Sequence, residues 1–163
     1  MMPLIKNFIY KLLSVKAVHA HCDIPCGIYD PIAAKIAAQT VLKMVMRIEA
    51  LDHPTTTPTP EERASYVNSL SRYISVKEEH AEITKKEIDI LWHDYFKPEH
   101  LEKFPELHTT IWETTKLAST NKQMVNIESA TNLVGCVDKI AKIFWATKGV
   151  DYTDPMEKIR FGS

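Results

Sequence analysis

The chain has 163 residues, a hydrophobic content of 45% and a formal net charge of −1. This length and composition fit one globular domain with an ordinary buried core. A nearly neutral chain lacks the positive field that attracts nucleic acids or anionic membrane surfaces, so we expect neither as a partner. No apolar run approaches the roughly 20 residues needed to cross a bilayer. We expect the cytoplasm as the compartment, with export or an organelle as the alternatives.

The composition favours helix over sheet. The chain has only four glycines, many stretches are rich in Ala, Ile, Leu, Lys and Glu, and alternating Val, Thr and Tyr are rare. We therefore expect an all-α protein.

Residues 1–20 form a basic segment that carries three lysines, contains no acidic residue and ends in Val18-His19-Ala20. This pattern is typical of a processed leader. Lysines interrupt the apolar centre that a secretory signal needs, so the sequence favours a propeptide, cleaved after Ala20, over an export signal. An amphipathic helix kept in the mature protein is the alternative. Residues 21–163 then form the mature domain.

The first predicted helix begins at Asp30-Pro31, because Asp can cap free backbone N–H groups and Pro fits the first helical position. The proline-rich linker DHPTTTPTP follows this helix. Its predicted apolar face consists of Ala33, Ala37, Val41, Met44, Ile48 and Leu51.

The second predicted helix begins at Thr59-Pro60-Glu61-Glu62, which matches a capping box, and ends at Lys97-Pro98. Its length is roughly 50 Å at a rise of about 1.5 Å per residue. Lys77 interrupts an apolar pattern at spacings of three and four. That pattern consists of Val67, Leu70, Ile74, Ala81, Thr84, Ile88, Leu91 and Tyr95.

Two further helices complete the predicted bundle. The third carries Leu107, Ile111 and Leu117, and the fourth carries Ile127, Ala130, Val134, Val137, Ala141, Phe144 and Trp145, with Gly149 as its C-terminal cap. Four main helices predict an antiparallel four-helix bundle over about residues 31–149. The tail, residues 150–163, shows no periodicity, and we expect it to be on the surface or disordered.

The segment His21-Cys22-Asp23-Ile24-Pro25-Cys26-Gly27-Ile28-Tyr29 places an imidazole and two thiols within six residues, directly after the predicted cleavage point. We call residues 21–29 the hook. Two thiolates separated by three residues can occupy neighbouring corners of one metal site. Pro25 and Gly27 help the segment turn, since Pro fixes φ and Gly tolerates an unusual φ.

Cleavage after Ala20 would create a ligand that the precursor lacks, the free α-amine of His21, whose proton a metal can displace. With the backbone nitrogen of Cys22 and two sulfurs, the site has four nitrogen and sulfur donors. Such a set in one plane favours Ni(II) or Cu(II) over the tetrahedral preference of zinc. The His21 imidazole is a further, axial candidate.

These residues resemble a known family. The pattern H-C-D-x-P-C-G-x-Y-D-P is similar to the nickel hook of the nickel superoxide dismutases. The segments LWHDYFKP (91–98), FPELH (104–108) and DKIAKIFW (138–145) resemble further family segments. Together these segments extend from His21 to about Lys148.

The resemblance implies superoxide disproportionation by one nickel ion per subunit, cycling between Ni(II) and Ni(III), in a homohexamer of four-helix bundles. By resemblance, His21 supplies its amine and, in the oxidised state, its imidazole. Cys22 supplies its amide nitrogen and sulfur, and Cys26 its sulfur. Tyr29 and Tyr95 would lie beside the vacant face and order substrate or water, while Asp23 would help hold the hook.

One departure from the family pattern concerns a Glu on the first helix and an Arg on the second, which form a pair near the hook in some members. Ala37 and His80 occupy these positions here. Both charges are absent together, which avoids an unpaired buried charge.

Other interpretations remain open from the residues alone. Cys22 and Cys26 could form a local disulfide or redox pair, and the histidines on the helices lack the repeated Glu-x-x-His of a di-iron bundle. Cys136 is expected to be a buried small hydrophobic residue. A non-catalytic nickel or copper trafficking protein and an interaction module that uses the bundle faces are the alternative functions.

Overall fold

The structure is a computed structural model that describes residues 27–162. Every regular element in this part of the chain is helical, as the composition predicts. None of these helices is long and apolar enough to span a membrane. The elements are α1 (Ile32–Glu49), α2 (Pro60–Ile90), a π-helical turn (Leu91–Tyr95), α3 (Pro98–Lys103), α4 (Leu107–Gln123), α5 (Ile127–Thr147) and α6 (Glu157–Phe161).

The four long helices form the predicted antiparallel bundle. α1 packs against α2 and α5, and α4 packs against the same two helices. Neighbouring helices run in opposite directions, because the start of α1 meets the ends of α2 and α5. The rings of Tyr29 and Tyr95 are 5.7 Å apart, and those of Tyr95 and Phe144 are 4.4 Å apart.

The predicted helix ends are confirmed by their hydrogen bonds. The Asp30 carboxylate accepts from the N–H of Ile32 at 2.8 Å, just before α1. Thr59 and Glu62 form both hydrogen bonds of the capping box at the start of α2. Gly149 has a φ of 72°, in the left-handed region that favours glycine after a helix end.

The core lies between the four helices, and three predicted core positions lie outside it. Ala33 is exposed, while the side chains of Val67 and Ile127 are 53% and 40% exposed. These two lie near the N-terminal ends of their helices, where fewer neighbours cover them. The buried apolar side chains include Ala34, Ala38, Val41, Val45, Ile88, Leu107, Leu133, Val137, Ile140 and Phe144.

The tail lies on the surface, which is one of its two expected states, and residues 150–162 fold back onto α1 and α5. The buried ammonium of Lys35 on α1 makes ion pairs of 2.8 Å with Asp138, 3.1 Å with Asp154 and 3.2 Å with Glu157. The last two carboxylates belong to the tail. The tail is therefore attached to the bundle by a charge cluster around the buried ammonium of Lys35.

Candidate metal centre

The structure describes one part of the predicted metal site. His21, Cys22, Asp23 and Cys26 lie outside the described residues, so their predicted roles remain predictions. The described chain starts at Gly27, whose φ of 82° is in the left-handed region that disfavours a side chain. This conformation agrees with the expectation that glycine helps the hook turn.

Tyr29 and Tyr95, the two predicted tyrosines of the site, lie in contact. Tyr29 precedes α1 and Tyr95 ends the π-helical turn after α2. Their ring planes are tilted by 55° at a centroid distance of 5.7 Å. The bundle thus brings together two side chains that are 66 positions apart in the sequence (95 − 29).

Other side chains pack closely around the Tyr95 ring. Phe144 lies 4.4 Å away, Phe96 lies 5.3 Å away, and His100 stacks at 5.7 Å with an interplanar angle of 22°. The ammonium of Lys148 lies 5.1 Å from the ring centroid. We call these residues, together with Tyr29, the Tyr95 cluster. Packing on several sides restrains the ring and fixes where its hydroxyl lies.

The Tyr95 hydroxyl contacts Thr147, the last residue of α5. Its oxygen lies 2.5 Å from the Thr147 hydroxyl oxygen, which in turn lies 2.6 Å from the carbonyl oxygen of Phe144. Sequence reasoning missed Thr147, His100 and Lys148 as neighbours of the site. Nothing in their local pattern sets them apart, since only the packing of α5 beside the π-helical turn brings them to Tyr95.

The positions of the missing Glu and Arg pair are filled without a new ion pair. Ala37 is buried, with 2% of its surface exposed. His80 is half-buried, and its Nδ1 donates to the carbonyl of Val76 in its own helix at 2.9 Å.

No other metal centre is formed by the part of the chain that the structure describes. Within residues 27–162, no three His, Cys, Asp or Glu side chains are grouped to hold an ion. Cys136 is buried on α5, which confirms its predicted packing role, and burial raises the pKa of its thiol. A thiol that resists ionisation is a poor metal ligand.

The donors available before Gly27 fit nickel. Two cysteine sulfurs with amine and amide nitrogens form a strong, anionic set of the kind that suits a planar Ni(II) ion. The described residues supply aromatic and hydroxyl groups next to this segment but no competing ligand cluster. The chain therefore combines an N-terminal sequence rich in potential ligands with a helical bundle in which Tyr29 and Tyr95 are in contact.

Comparisons with known proteins agree with this architecture. The sequence model of the family "Nickel-containing superoxide dismutase" matches residues 16–148. The chain is 37% identical over 131 residues to superoxide dismutase [Ni] of Streptomyces seoulensis. The aligned region covers 80% of this chain and 90% of the relative. The same identity and coverage hold for superoxide dismutase [Ni] of Streptomyces coelicolor.

Solved structures give the same result. A Ni-containing superoxide dismutase with nickel ligation of the oxidised state is similar with a TM-score of 0.67 and 36% identity, covering 80% of this chain and 100% of that chain. The native nickel superoxide dismutase is similar with a TM-score of 0.66 and 36% identity, covering 78% of this chain and 99% of that chain.

The bundle and its sequence define a nickel-containing oxidoreductase of the helical type, and the chain belongs to the nickel-containing superoxide dismutase family. Its activity is the disproportionation of superoxide to dioxygen and hydrogen peroxide, with nickel as the cofactor. Family membership favours this activity over the metal-trafficking alternative. The match ends at residue 148, so residues 149–163 lie beyond the family region.

Proposed function

We propose that His21, Cys22 and Cys26 hold the nickel ion and that Tyr29 and Tyr95 line its open side. The observation that carries this proposal is the contact between the two tyrosine rings at 5.7 Å. Tyr29 follows Cys26 by only three residues, a reach of about 11 Å at most for an extended chain. The three proposed ligand residues therefore precede Tyr29, a member of the Tyr95 cluster, closely enough for a nickel ion held by them to lie near this cluster.

The residues of the chain have separate tasks in this proposal. Nickel bound by thiolates and an amide nitrogen would supply an Ni(II)/Ni(III) couple. This couple can accept an electron from one superoxide ion and give an electron to a second one. The tyrosine hydroxyls order water or substrate at the open side, and Asp23 helps hold the hook. Lys148, with its ammonium 5.1 Å from the Tyr95 ring, adds positive charge that attracts the superoxide anion.

The ligand set is tested by replacing one thiol at a time. Cys26→Ser should lose bound nickel and superoxide turnover together, because a serine hydroxyl does not form the thiolate that the site needs. Cys136→Ser is the matched control, since its thiol is buried on α5. Metal analysis and a turnover assay are run on both proteins. Nickel retained at one ion per chain in Cys26→Ser, with full activity, would contradict the proposal.

We further propose that the leader is removed by a protease after Ala20 and that the mature chains assemble into a homohexamer. The hexamer is supported by family membership, and the 58% exposed side chain of Trp112 offers apolar surface for a contact between chains. Sedimentation of the nickel-loaded protein gives the number of chains per particle. An active monomer would contradict the assembly.

A further inference from the structure

The hydroxyl groups of Tyr95 and Thr147 form a short directed chain at the end of α5. The two oxygens are 2.5 Å apart, and the Thr147 oxygen lies 2.6 Å from the carbonyl oxygen of Phe144. A carbonyl carries no proton and only accepts hydrogen bonds. The single proton of Thr147 is therefore donated to Phe144.

This assignment fixes the donor in the other hydrogen bond. Because the Thr147 proton is already used, the bond between the two hydroxyls must be made by the proton of Tyr95. A phenolic hydroxyl has one proton and further acceptor capacity. The Tyr95 oxygen can then only accept further hydrogen bonds, so any other molecule that bonds to it must be the donor.

The side chains around the Tyr95 ring restrict its rotation and so help keep its hydroxyl in position to donate to Thr147. Phe144, Phe96 and His100 pack around the Tyr95 ring at centroid distances between 4.4 and 5.7 Å. A phenolic O–H lies near the ring plane, so a restrained ring leaves few directions for its proton. The Thr147 oxygen accepts this proton and so determines the direction of the Tyr95 O–H bond.

We propose that Thr147 is a positioning residue that makes Tyr95 an acceptor towards the reaction site. Superoxide is an anion without a proton and cannot donate to Tyr95, whereas water and hydrogen peroxide can. Tyr95 then holds water or the peroxide product, and it does not bind the superoxide anion directly. This inference rests on the proposed place of Tyr95 at the nickel site.

The direction of the hydrogen bond is tested by vibrational spectroscopy. The Fermi doublet of tyrosine in the Raman spectrum reports whether the phenolic hydroxyl donates or accepts, and subtraction of a Tyr95→Phe spectrum isolates the signal of Tyr95. The purified protein should show a donating Tyr95 with nickel bound and after its removal. Thr147→Val, which keeps the side-chain shape, should lose this signature, and Thr147→Ser should restore it.

The same variants are assayed for bound nickel, folding and turnover. Thr147→Val should keep its nickel and its helical circular dichroism but lower kcat by roughly fivefold, as expected for one ordinary hydrogen bond, and Thr147→Ser should recover it. An accepting Tyr95 in the unmodified protein, or unchanged turnover in Thr147→Val, would overturn the inference. If Tyr95→Phe has full activity with nickel bound, the proposed site role of Tyr95 is itself wrong. If turnover is impaired in Tyr95→Phe but normal in Thr147→Val, the role of Thr147 is wrong and the role of Tyr95 stands.

Discussion

The hydroxyl of Tyr29 can be removed without removing its ring. Tyr29→Phe keeps the ring contact with Tyr95 at 5.7 Å, so we expect it to retain one nickel ion per chain. Turnover or its saturation should change by roughly fivefold, because one ordering hydrogen bond is lost. Metal analysis and initial rates over a range of superoxide concentrations measure both quantities.

Tyr66→Phe is the control for the loss of a phenolic hydroxyl. Tyr66 lies near the start of α2 and pairs with His53 at 3.2 Å, far along the chain from the hook. This variant should leave nickel content and turnover unchanged. Loss of nickel from Tyr29→Phe would show that Tyr29 helps retain the metal, in conflict with an ordering role.

The buried position of Lys77 was not predicted from the pattern of apolar residues. Lys77 interrupts the apolar pattern of α2, yet its side chain is buried, with 1% exposed. The ammonium donates to the backbone carbonyls of Asn121, Lys122 and Met124 at the C-terminal end of α4. Burial lowers the pKa of Lys77 below its ordinary value.

The role of Lys77 was not predictable because its partners are backbone groups more than 40 positions away. Carbonyls at a helix end have no partners within the helix, so a lysine from a neighbouring helix can satisfy them. A classification of lysine as polar describes its charged ammonium group but not its apolar methylene stem, which can pack in a core. Cys136, by contrast, was predictable because burial of a small side chain needs no specific partner.

At the scale of elements, the starts of the helices were predictable and the end of α2 was predictable only in part. Caps such as Thr59 with Glu62 depend on local residues and appear directly in the sequence. Lys97-Pro98 correctly predicted where α2 and its extension end. The wider π-helical turn was not predicted, and there the N–H of Phe96 bonds to the carbonyl of Leu91 at 2.9 Å.

The attachment of the tail to the bundle was not predicted, because it depends on charge pairs with distant helices. Its one helix, α6, has only five residues and provides too few turns for a periodic pattern. Burial lowers the pKa of Lys35, but the hydrogen bonds that its ammonium donates to Asp138 and Asp154 more than offset this and raise it above its ordinary value. These pairs therefore stabilise the charged form of Lys35.

The tail attachment should depend on pH. Burial raises the pKa of Asp154, but hydrogen bonds from Lys35 and Arg160 outweigh burial and hold it below the ordinary value of 3.8. A carboxyl with a lowered pKa stabilises the folded state above its ordinary pKa and loses this effect as pH falls through the lowered one. The protection factors of the α6 amides, which are the exchange rates of an unfolded chain at the same pH divided by those observed, should be high at neutral pH and fall once the pH drops below the ordinary value of 3.8.

Asp154→Asn should release the tail at neutral pH, because the neutral amide cannot balance the buried ammonium of Lys35. We expect exchange in α6 to accelerate by roughly tenfold, the effect of about 1.4 kcal/mol. Glu82→Gln is the control, since it removes an exposed ion pair with Lys122 on the bundle surface. Slow exchange in Asp154→Asn, equal to that of the control, would show that the ion pairs do not hold the tail.

At the scale of the whole molecule, the bundle was predicted from four periodic helical segments. Each helix has to bury one apolar face, and an up-down arrangement is the simplest one that short links allow. The meeting of Tyr29, Tyr95 and Thr147 at one end was beyond such reasoning, because rotation of each helix about its axis decides which side chains meet. The resemblance indicated the two tyrosines, and only packing revealed the threonine.

The proposed cleavage after Ala20 should be the activating step, since cleavage changes the nitrogen of His21 from an amide into an amine. An amide nitrogen lies in a planar peptide, has little basicity and is followed by chain that would crowd a metal. A free α-amine has a pKa of about 8 and releases its proton to a metal easily. Protein that starts at His21 should bind one nickel ion and turn over superoxide.

A single extra Ala ahead of His21 should abolish turnover while leaving the bundle folded, because α1, α2, α4 and α5 pack against one another through residues that follow the hook in the sequence. An extra Ala after Ser163 is the matched control for adding one residue, and it should change neither activity nor nickel content. Circular dichroism, metal analysis and turnover assays are run on all three proteins. Full activity with nickel bound in the N-terminally extended protein would show that the amine of His21 is not a required ligand.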